Sequence, residues 1–427
     1  MLNHNEIKSI KRLMQHEIIP AIGCTEPVAV SLCVAKATEV LGSEPERIDV
    51  ILSANVLKNA MGVGIPGTGM IGLPIAIALG ALIGKSEYGL EVLQDLKPED
   101  VERGRLFIYG QRINIDLKND NEEKLYIEVH CYSGEERSLA IIRGNHTHFS
   151  RIEKNDNVLL EKELETVSEE KREEIPLTFQ KVYQFATKSP IDELRFILDA
   201  AKMNREASKL AQESNYGHNV AKSLTGEKGI TLFGNNPHSR MISATAGACD
   251  ARMDGALIPV MSNSGSGNQG VAATLPVLSY AEDIGSDEES LIRALVLSNL
   301  TVIYIKQQLG RLSALCGCVV AASGSSAGIT YLMGGDYTQV TFAVKNMIAN
   351  ITGIICDGAK PSCALKIAIG TSTAMLSSLM AIENKVVSAQ EGIVEDDIEK
   401  TIRNMAIIAN QGMAATDRIV LDLMTGK

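Results

Sequence analysis

The pattern of apolar and polar positions divides the chain into segments with different periods. Residues 5–40 show the spacing of helices, interrupted by PAIGCTEPVAV, in which Pro20 and Gly23 end the first helix. Thr25 is expected to cap the second helix. The longest apolar segment, MIGLPIAIALGALIG at Met70–Gly84, is 15 residues long and contains a proline. It therefore predicts a buried helix rather than a membrane span.

A middle segment alternates apolar and polar residues with period two. Between residues 105 and 153, RLFIYGQRINIDLK, KLYIEVHCYS, RSLAIIRG and THFSRIEK are separated by turn residues, a pattern typical of antiparallel strands. From about residue 190 onward, apolar helical stretches alternate with loops of small residues. We therefore expect an α+β fold. A mostly helical, discontinuous domain (1–44 plus 186–427) carries an inserted smaller α/β domain (45–185) with antiparallel strands.

Charge and composition narrow the class of protein. The formal net charge is −11, and the charged stretch Glu161–Leu177, expected at the surface, is mostly acidic, so a nucleic-acid partner is not expected. The polar N-terminal stretch lacks the apolar core of a signal peptide, which indicates a cytoplasmic protein with no membrane partner. The many small residues in the helical part suggest self-association as a homo-oligomer.

Eight cysteines in a reducing compartment predict packing, catalysis or metal binding rather than disulfides. Three are isolated and read as packing residues: Cys33, Cys131 and Cys249. Four lie beside glycine, proline or aspartate in the helical half: Cys316 and Cys318 in LCGCVV, Cys356 and Cys363 in CDGAKPSC. Thiolates presented by such turns suit an iron–sulfur cluster. Four sulfurs would also suit tetrahedral zinc, and the spacing alone leaves both open.

Cys24 stands apart because it lies at or just before a helix N-terminus. The positive end of the helix dipole lowers a thiol pKa there and favours the thiolate, which can act as nucleophile, base or ligand. The alternative is a small residue that merely fills the helix start.

Two glycine-rich loops could present backbone N–H groups to an anion. NSGSGNQG at Asn263–Gly270 precedes a helical segment but lacks the G-K-[ST] of a Walker A motif. GVGIPG at Gly62–Gly67 matches GxGxxG, yet no acidic residue follows at the distance that dinucleotide binding requires. A small carboxylate is the favoured ligand of the first loop, whose polar side chains include Ser264, Ser266 and Asn268; a packing loop is the alternative.

Two further groups have both a functional and a structural interpretation. Arg252, in DARMDG, could fork a substrate carboxylate or form an ion pair with Asp250 or Asp254. His146 and His148, in GNHTHF, could reach one site from one face of a strand end, although such a pair is more often a surface feature.

Six motifs, in order along nearly the whole chain, resemble the L-cysteine desulfidase family, which is similar to the α chain of bacterial iron–sulfur L-serine dehydratases. The motifs are GCTEP (Gly23–Pro27), PGTGM (Pro66–Met70), DARM (Asp250–Met253), MSNSGSGNQG (Met261–Gly270), LSALC (Leu312–Cys316) and CDGAKPSCALK (Cys356–Lys366). The resemblance implies an oxygen-sensitive [4Fe–4S] enzyme without pyridoxal phosphate. Its substrate would be a small amino acid, L-cysteine, converted to pyruvate, ammonia and sulfide.

The resemblance also implies roles for individual residues. The cluster ligands fall on Cys316, Cys356 and Cys363, and the proton acceptor falls on Cys24. An alternative division makes Cys24 a ligand beside Cys316 and Cys356. Cys318 departs from the family pattern and is interpreted as packing, although it keeps the zinc alternative open.

The implied chemistry is a β-elimination in which an open iron acts as Lewis acid and Cys24 removes the Cα proton. The Asn263–Gly270 loop or Arg252 would bind the carboxylate. The resemblance argues against Lys58 or Lys366 as a Schiff-base lysine. L-serine dehydration by the same mechanism is the alternative activity, and a non-enzymatic zinc or redox protein is the alternative class.

Overall fold

The computed structural model describes residues 2–118, 123, 125–162, 176–309 and 314–426. The helices, numbered along the chain, are α1 His4–Glu17, α2 Thr25–Leu41, α3 Ala54–Ala60, α4 Leu73–Ile83, α5 Pro98–Tyr109, α6 Phe179–Lys188, α7 Ile197–Glu213, α8 Val220–Thr225, α9 Glu227–Phe233, α10 Pro237–Met253, α11 Gly267–Asp283, α12 Glu288–Leu309, α13 Gly317–Leu332, α14 Tyr337–Ile351, α15 Cys363–Ile382, α16 Ile398–Ile407 and α17 Ala414–Thr425. The strands are β1 Pro20–Ile22, β2 Arg47–Leu52, β3 Gly64–Ile65, β4 Met70–Ile71, β5 Ile113–Leu117, β6 Tyr126–Ser133, β7 Glu136–Arg143, β8 Phe149–Lys154, β9 Asn157–Glu161 and β10 Pro259–Met261.

The expected α+β fold is confirmed. Six strands form one sheet in the order β5-β2-β6-β7-β8-β9, in which only the β2–β5 pair is parallel. Alternate residues of β2, beginning with Ile48, are fully buried, and α2 packs across β6 and β7. Two short pairs, β1 with β10 and β3 with β4, lie outside this sheet.

The helical part is built around α13, which packs against α11, α12, α14 and α15. Its sequence GCVVAASGSSAGITYL lets neighbouring backbones approach closely: a side chain at Gly324 would collide with the carbonyl of Ser298. The buried Ser298 hydroxyl in turn donates to the carbonyl of Ala273 at 2.6 Å. The small residues therefore allow close helix packing within the chain, and self-association as a homo-oligomer stays a prediction.

The predicted run of strands is partly wrong. Residues 105–109 belong to helix α5, which begins at Pro98 and buries Val101, Gly104 and Phe107 at helical spacing. The strand after it, β5, pairs in parallel with β2 rather than antiparallel with its neighbour in sequence. Strand β9 was missed, and residues 163–175 of the predicted acidic surface stretch lie outside the described residues.

Core packing bears on where the inserted part begins. Buried residues of α2 belong to the core that covers the sheet, whereas Phe179 and Phe185 of α6 belong to the helical core. The boundaries after residues 44 and 185 stay predictions, and this packing favours earlier ones. We propose that the inserted part begins with α2 and ends before α6.

Helix α15 exceeds the segment Met70–Gly84 in apolar length. Among the described residues it alone is long and apolar enough to span a membrane, with 44% of its most apolar window buried. Core helices of soluble proteins pass the same test, and α15 packs against α10, α13 and α14. It is therefore weak evidence for a membrane span. Met70–Gly84 forms the expected buried helix, α4, from Leu73 onward.

Candidate functional site

A cavity of about 730 Å³ brings together every residue predicted for the site. Its wall includes Cys24, Arg252, Ser264, Ser266, Asn268, Cys316, Cys356 and Cys363. These residues span more than 300 positions of sequence. Cys318 and His146 line the same cavity, whereas His148 is not among its lining residues. Both histidines lie in the turn between β7 and β8 rather than on a strand.

Four helices begin at this cavity. Cys24, Ser266 and Cys316 are the N-terminal capping residues of α2, α11 and α13, and Cys363 is the first residue of α15. The first-turn amides of a helix lack carbonyl partners within it, and its dipole is positive at that end. The cavity therefore favours negative charge, as in a thiolate, an iron–sulfur cluster or a substrate carboxylate.

Cys316 and Cys356 are placed by a short antiparallel bridge. The Cys316 N–H donates to the Ile354 carbonyl at 2.9 Å, the Cys356 N–H donates to the Ala314 carbonyl at 2.7 Å, and Leu315 pairs with Ile355. The two cysteines therefore project to the same face as diagonal neighbours, whose Cα atoms are roughly 7–8 Å apart in a ladder. The bridge therefore places both cysteines where they could contribute to one metal site.

The turn after Cys356 returns the chain to the same wall. Gly358 has φ +89°, and a side chain there would collide with the carbonyl of Lys58. The Cys363 N–H then donates to the Lys360 carbonyl at 2.9 Å, while its thiol donates to the Gly358 carbonyl at 3.6 Å. Glycine at position 358 is therefore required both for the backbone conformation and for the close approach to α3.

The thiols of Cys316, Cys356 and Cys363 differ in pKa. A hydrogen bond from Cys318, whose sulfur lies 3.2 Å away, lowers the pKa of Cys316 to about 7; backbone amides and Lys366 add to this effect. Burial raises the pKa of Cys363 to about 11, and the nearby Cys316 and Cys356 also raise it. Burial likewise raises the pKa of Cys356. Cys316 is therefore the thiol most readily deprotonated.

The arrangement does not favour the mononuclear zinc alternative. Within the described part of the chain, no group of three or more histidine, cysteine or acidic residues is close enough to hold a single metal ion. Zinc requires four such ligands around one point. Cluster ligands bind different irons and stand farther apart, so three thiols on one wall, beside positive helix ends, fit a cluster.

Cys24 contradicts the expectation of a thiolate. It is 5% exposed, and its Sγ–H donates to Glu26 Oε2 at 2.9 Å. Burial raises the pKa of the Cys24 thiol well above its ordinary value, and the Glu26 carboxylate raises it further. Burial and the Glu26 carboxylate both act against the helix dipole, which favours the thiolate. The expected cap at Thr25 is also wrong by one residue, since Cys24 itself occupies the capping position.

Arg252 connects the Cys24 turn to the loop that begins α11. Its Nη2 donates to the Gly23 carbonyl at 2.7 Å, and its Nη1 donates to Asn268 Oδ1 at 3.0 Å. The alternative, an ion pair of Arg252 with Asp250 or Asp254, is not formed among the described side chains. The Asp250 carboxylate instead accepts the N–H groups of residues 218 and 220. A side chain at Gly267 would occupy the space that Arg252 fills.

The Asn263–Gly270 loop begins with a tight turn that is anchored to helix α12. Asn263 is fully buried and pairs with Ser266 through both backbone hydrogen bonds, and its amide donates to the Asn299 carbonyl at 3.1 Å. Ser264, with φ +50°, donates its hydroxyl back to Asn263. The Ser264 side chain therefore serves the loop, whereas Ser266, Asn268 and Gln269 at the start of α11 line the cavity.

The two candidate Schiff-base lysines each form ion pairs. Lys58 is buried and pairs with Asp417 of α17. Lys366 pairs with Asp357 and donates to the Ile355 carbonyl at 2.9 Å. Both side chains are therefore engaged in ion pairs rather than directed freely into the cavity.

Several lining residues had no assigned role in the sequence. Glu26 and Asn59 contact each other beside Cys24, and Gln269 packs on Gly317 between the two cysteines of LCGCVV. Gln269 Oε1 and Arg252 Nε are buried without hydrogen-bond partners, which is typical of a site that awaits a ligand. Only Glu26 had a local signal, because it is the single carboxylate in the GCTEP motif.

The chain combines a helical core, an inserted sheet and a thiol-rich cavity at four helix N-termini, and its family is known from sequence comparison. The profile described as serine dehydratase alpha chain matches residues 87–422, and the chain belongs to that family. It is similar to UPF0597 proteins of Bacteroides fragilis (62% identical over 426 residues, 100% of both chains), Porphyromonas gingivalis (52% over 421 residues, 97% of each) and Shewanella halifaxensis (43% over 433 residues, 99% of this chain and 98% of the relative).

Proposed function

We propose that the protein is a cytoplasmic [4Fe–4S]-dependent carbon–sulfur lyase, an L-cysteine desulfidase that forms pyruvate, ammonia and sulfide. The observation that carries this proposal is that Cys24, the thiols of Cys316, Cys356 and Cys363, and the loop that begins α11 all line one cavity. Membership of the serine dehydratase alpha chain family supports the lyase class.

The three thiols that would hold the cluster are Cys316, Cys356 and Cys363. Their positions at the starts of α13 and α15 and on the short bridge favour an anionic group there. When bound, the cluster supplies a Lewis-acidic iron for the substrate. The charged side chains that shift the pKa of Cys24 are those of Glu26 and Arg252, and the other three thiols do not contribute to this shift. We therefore assign Cys24 to the base rather than to the ligand set.

The remaining steps belong to residues of the chain. The first-turn amides of α11 and the Ser266 hydroxyl bind the substrate carboxylate, while Arg252 holds Asn268 and adds positive charge. Cys24, once it has given up its thiol proton, takes the proton from Cα, and the Cα–H electron pair forms the double bond as hydrosulfide leaves Cβ. The aminoacrylate released then tautomerises and hydrolyses to pyruvate and ammonia.

L-serine dehydration is the second candidate, favoured by the description of the family itself. Serine and cysteine differ only in the leaving group, so the same cavity and the same base would serve both. The GCTEP motif, which resembles the desulfidases, favours cysteine.

The test is anaerobic reconstitution followed by assays of pyruvate and sulfide with each amino acid. We expect kcat/KM for L-cysteine to exceed that for L-serine by about tenfold or more, equivalent to about 1.4 kcal/mol. Replacing Cys316, Cys356 or Cys363 by serine should remove the visible absorption of the cluster, whereas Cys131→Ser, in the sheet, should keep it. A preference for serine would reassign the substrate, and no pyruvate from either amino acid would refute the lyase.

A further inference from the structure

Glu26 lies beside the base, inside the cavity, where its carboxylate receives three neutral donors. Cys24 Sγ–H and Thr25 Oγ1–H donate to Oε2 at 2.9 and 3.2 Å, and Asn59 Nδ2 donates to Oε1 at 3.3 Å. None of the described lysine, arginine or histidine side chains forms an ion pair with it. Hydrogen bonds therefore orient the Glu26 carboxylate, and no described cationic side chain pairs with it. One of its oxygens accepts the Cys24 thiol proton in a hydrogen bond.

We propose that Glu26 accepts the thiol proton of Cys24, so that Cys24 and Glu26 act together as the base that the elimination requires. This inference rests on the proposed function, because it concerns the same Cα proton. It makes Glu26 a positioning and proton-accepting residue that acts through Cys24.

The proton transfers balance without any redox partner. The Cys24 proton moves to Glu26 Oε2 while Cys24 Sγ takes the Cα proton, so the thiol is restored and Glu26 becomes a carboxylic acid. The Cα–H electron pair becomes the new double bond, and hydrosulfide leaves with the electron pair of the Cβ–S bond. Glu26 returns to the carboxylate by giving its proton to the hydrosulfide or to water.

The need for such an acceptor follows from the burial of Cys24. Burial raises the pKa of this thiol, and the Glu26 carboxylate raises it further. A free thiolate would therefore be scarce near neutral pH. A carboxylate in hydrogen-bond contact lets the thiolate form only as the substrate proton arrives, as in other pairs of a nucleophile or base and its neighbour.

The neighbouring elements hold this pair in place. Gly23 has φ +64°, a side chain there would press on Pro66, and its carbonyl accepts from Arg252. Asn59, from α3, fixes the other carboxylate oxygen. The sulfur and carboxylate are thus constrained by α2, α3 and α10 together.

The charged groups around the pair come from several elements. Arg252 of α10 favours the Cys24 thiolate, whereas Glu26 opposes it. Lys58 of α3 lines the cavity but pairs with Asp417, and Lys306 of α12 also lines the cavity. Replacing Glu26 by glutamine therefore removes the negative charge nearest to the sulfur and leaves the positive charges unchanged.

The test compares Glu26→Gln with wild type and with Glu44→Gln, a control that removes an exposed carboxylate paired with Arg112. Turnover is measured in reconstituted enzyme. The reaction of Cys24 with iodoacetamide is measured in cluster-free protein by peptide mass spectrometry at a mildly alkaline pH. We expect Glu26→Gln to lower kcat by about 100-fold or more. The same variant should alkylate faster at Cys24, because the thiol pKa falls when the carboxylate is lost.

These opposite changes separate proton transfer from a purely structural role. A Glu26→Gln enzyme with wild-type kcat would overturn the proposal, and so would slower turnover with unchanged or slower alkylation, which indicates a distorted turn. Glu26→Asp, which keeps the acceptor, should recover part of the turnover. If wild type releases no pyruvate, the proposed function fails, and the alkylation rates still decide whether Glu26 controls the Cys24 proton.

Discussion

Arg252 donates a 2.7 Å hydrogen bond to the carbonyl of Gly23, and this contact joins the turn of the base to the loop that begins α11. The second contact, to Asn268, is made by the same guanidinium, which is 5% exposed. One side chain therefore sets the distance between the turn of Cys24, the proposed base, and the loop proposed to bind a carboxylate.

Arg252→Met should leave both acceptors unpaired and destabilise the fold by about 1–3 kcal/mol for each one. Because the two loops would no longer be held together, kcat/KM should fall by about 100-fold. Denaturant unfolding of cluster-free protein and steady-state kinetics measure the two effects. Arg240→Met, on the same helix, breaks a partly exposed pair with Asp283 and should cost about 0–1 kcal/mol. Equal losses in both variants would contradict a special role for Arg252.

Gly358→Ala should distort the turn that connects Cys356 to Cys363. The position combines φ +89° with a collision against the Lys58 carbonyl, so we expect a loss of iron content together with lower stability. Gly334→Ala is the matched control: its φ is +87°, but nothing lies within 4 Å of an added side chain. That variant should lose only about 1–2 kcal/mol and keep its cluster. Full iron content in Gly358→Ala would show that the close approach is dispensable.

Cys318→Ala tests whether Cys318 binds the proposed cluster or only lies beside Cys316. The Cys318 sulfur lies 3.2 Å from Cys316, too close for two sulfurs that bind different irons of a cluster. We therefore expect Cys318→Ala to keep iron, sulfide and the visible absorption, whereas Cys316→Ala loses all three. Iron and acid-labile sulfide analysis of both variants decides the point. Loss of iron in Cys318→Ala would make it a fourth ligand.

Asp417→Asn should loosen the C-terminal helix. It leaves Lys58, whose side chain is 4% exposed, without its partner. We expect a loss of about 1–3 kcal/mol, below the 3–5 kcal/mol typical of a fully buried pair because Asp417 is partly exposed. Denaturant unfolding measures the loss, and limited proteolysis shows whether α17 is released. Asp422→Asn, an exposed site on the same helix, should change neither. Similar behaviour of the two variants would show that the pair does not anchor the helix.

Local pattern was sufficient for much of the fold. The helices after residue 190 and the hairpins of β6 to β8 follow from period and turn residues. The segment 105–109 was ambiguous because five residues are too few to distinguish the helical period from that of a strand. The helix to which it belongs begins seven residues earlier, with Pro98 at its first position. The parallel pairing of β5 with β2 depends on contacts more than 60 residues apart, which no local pattern contains.

The residues that line the candidate site could be predicted from the sequence, but their protonation states and hydrogen-bond partners could not. Motifs indicated Cys24, the other cysteines and the α11 loop, and the structure places them on one cavity. The protonation of Cys24 was not predictable, since it depends on burial by distant elements and on where Glu26 turns. The partners of Arg252 likewise required the fold, because Gly23 lies more than 200 residues away.

Helix α17 packs Leu421 into the core that covers the sheet and brings Met424 against Gly358. Helix α17 therefore contacts both the core of the inserted sheet and the turn between Cys356 and Cys363. The stability of the sheet and the shape of the cysteine turn are coupled through this one helix, although neither is near it in sequence.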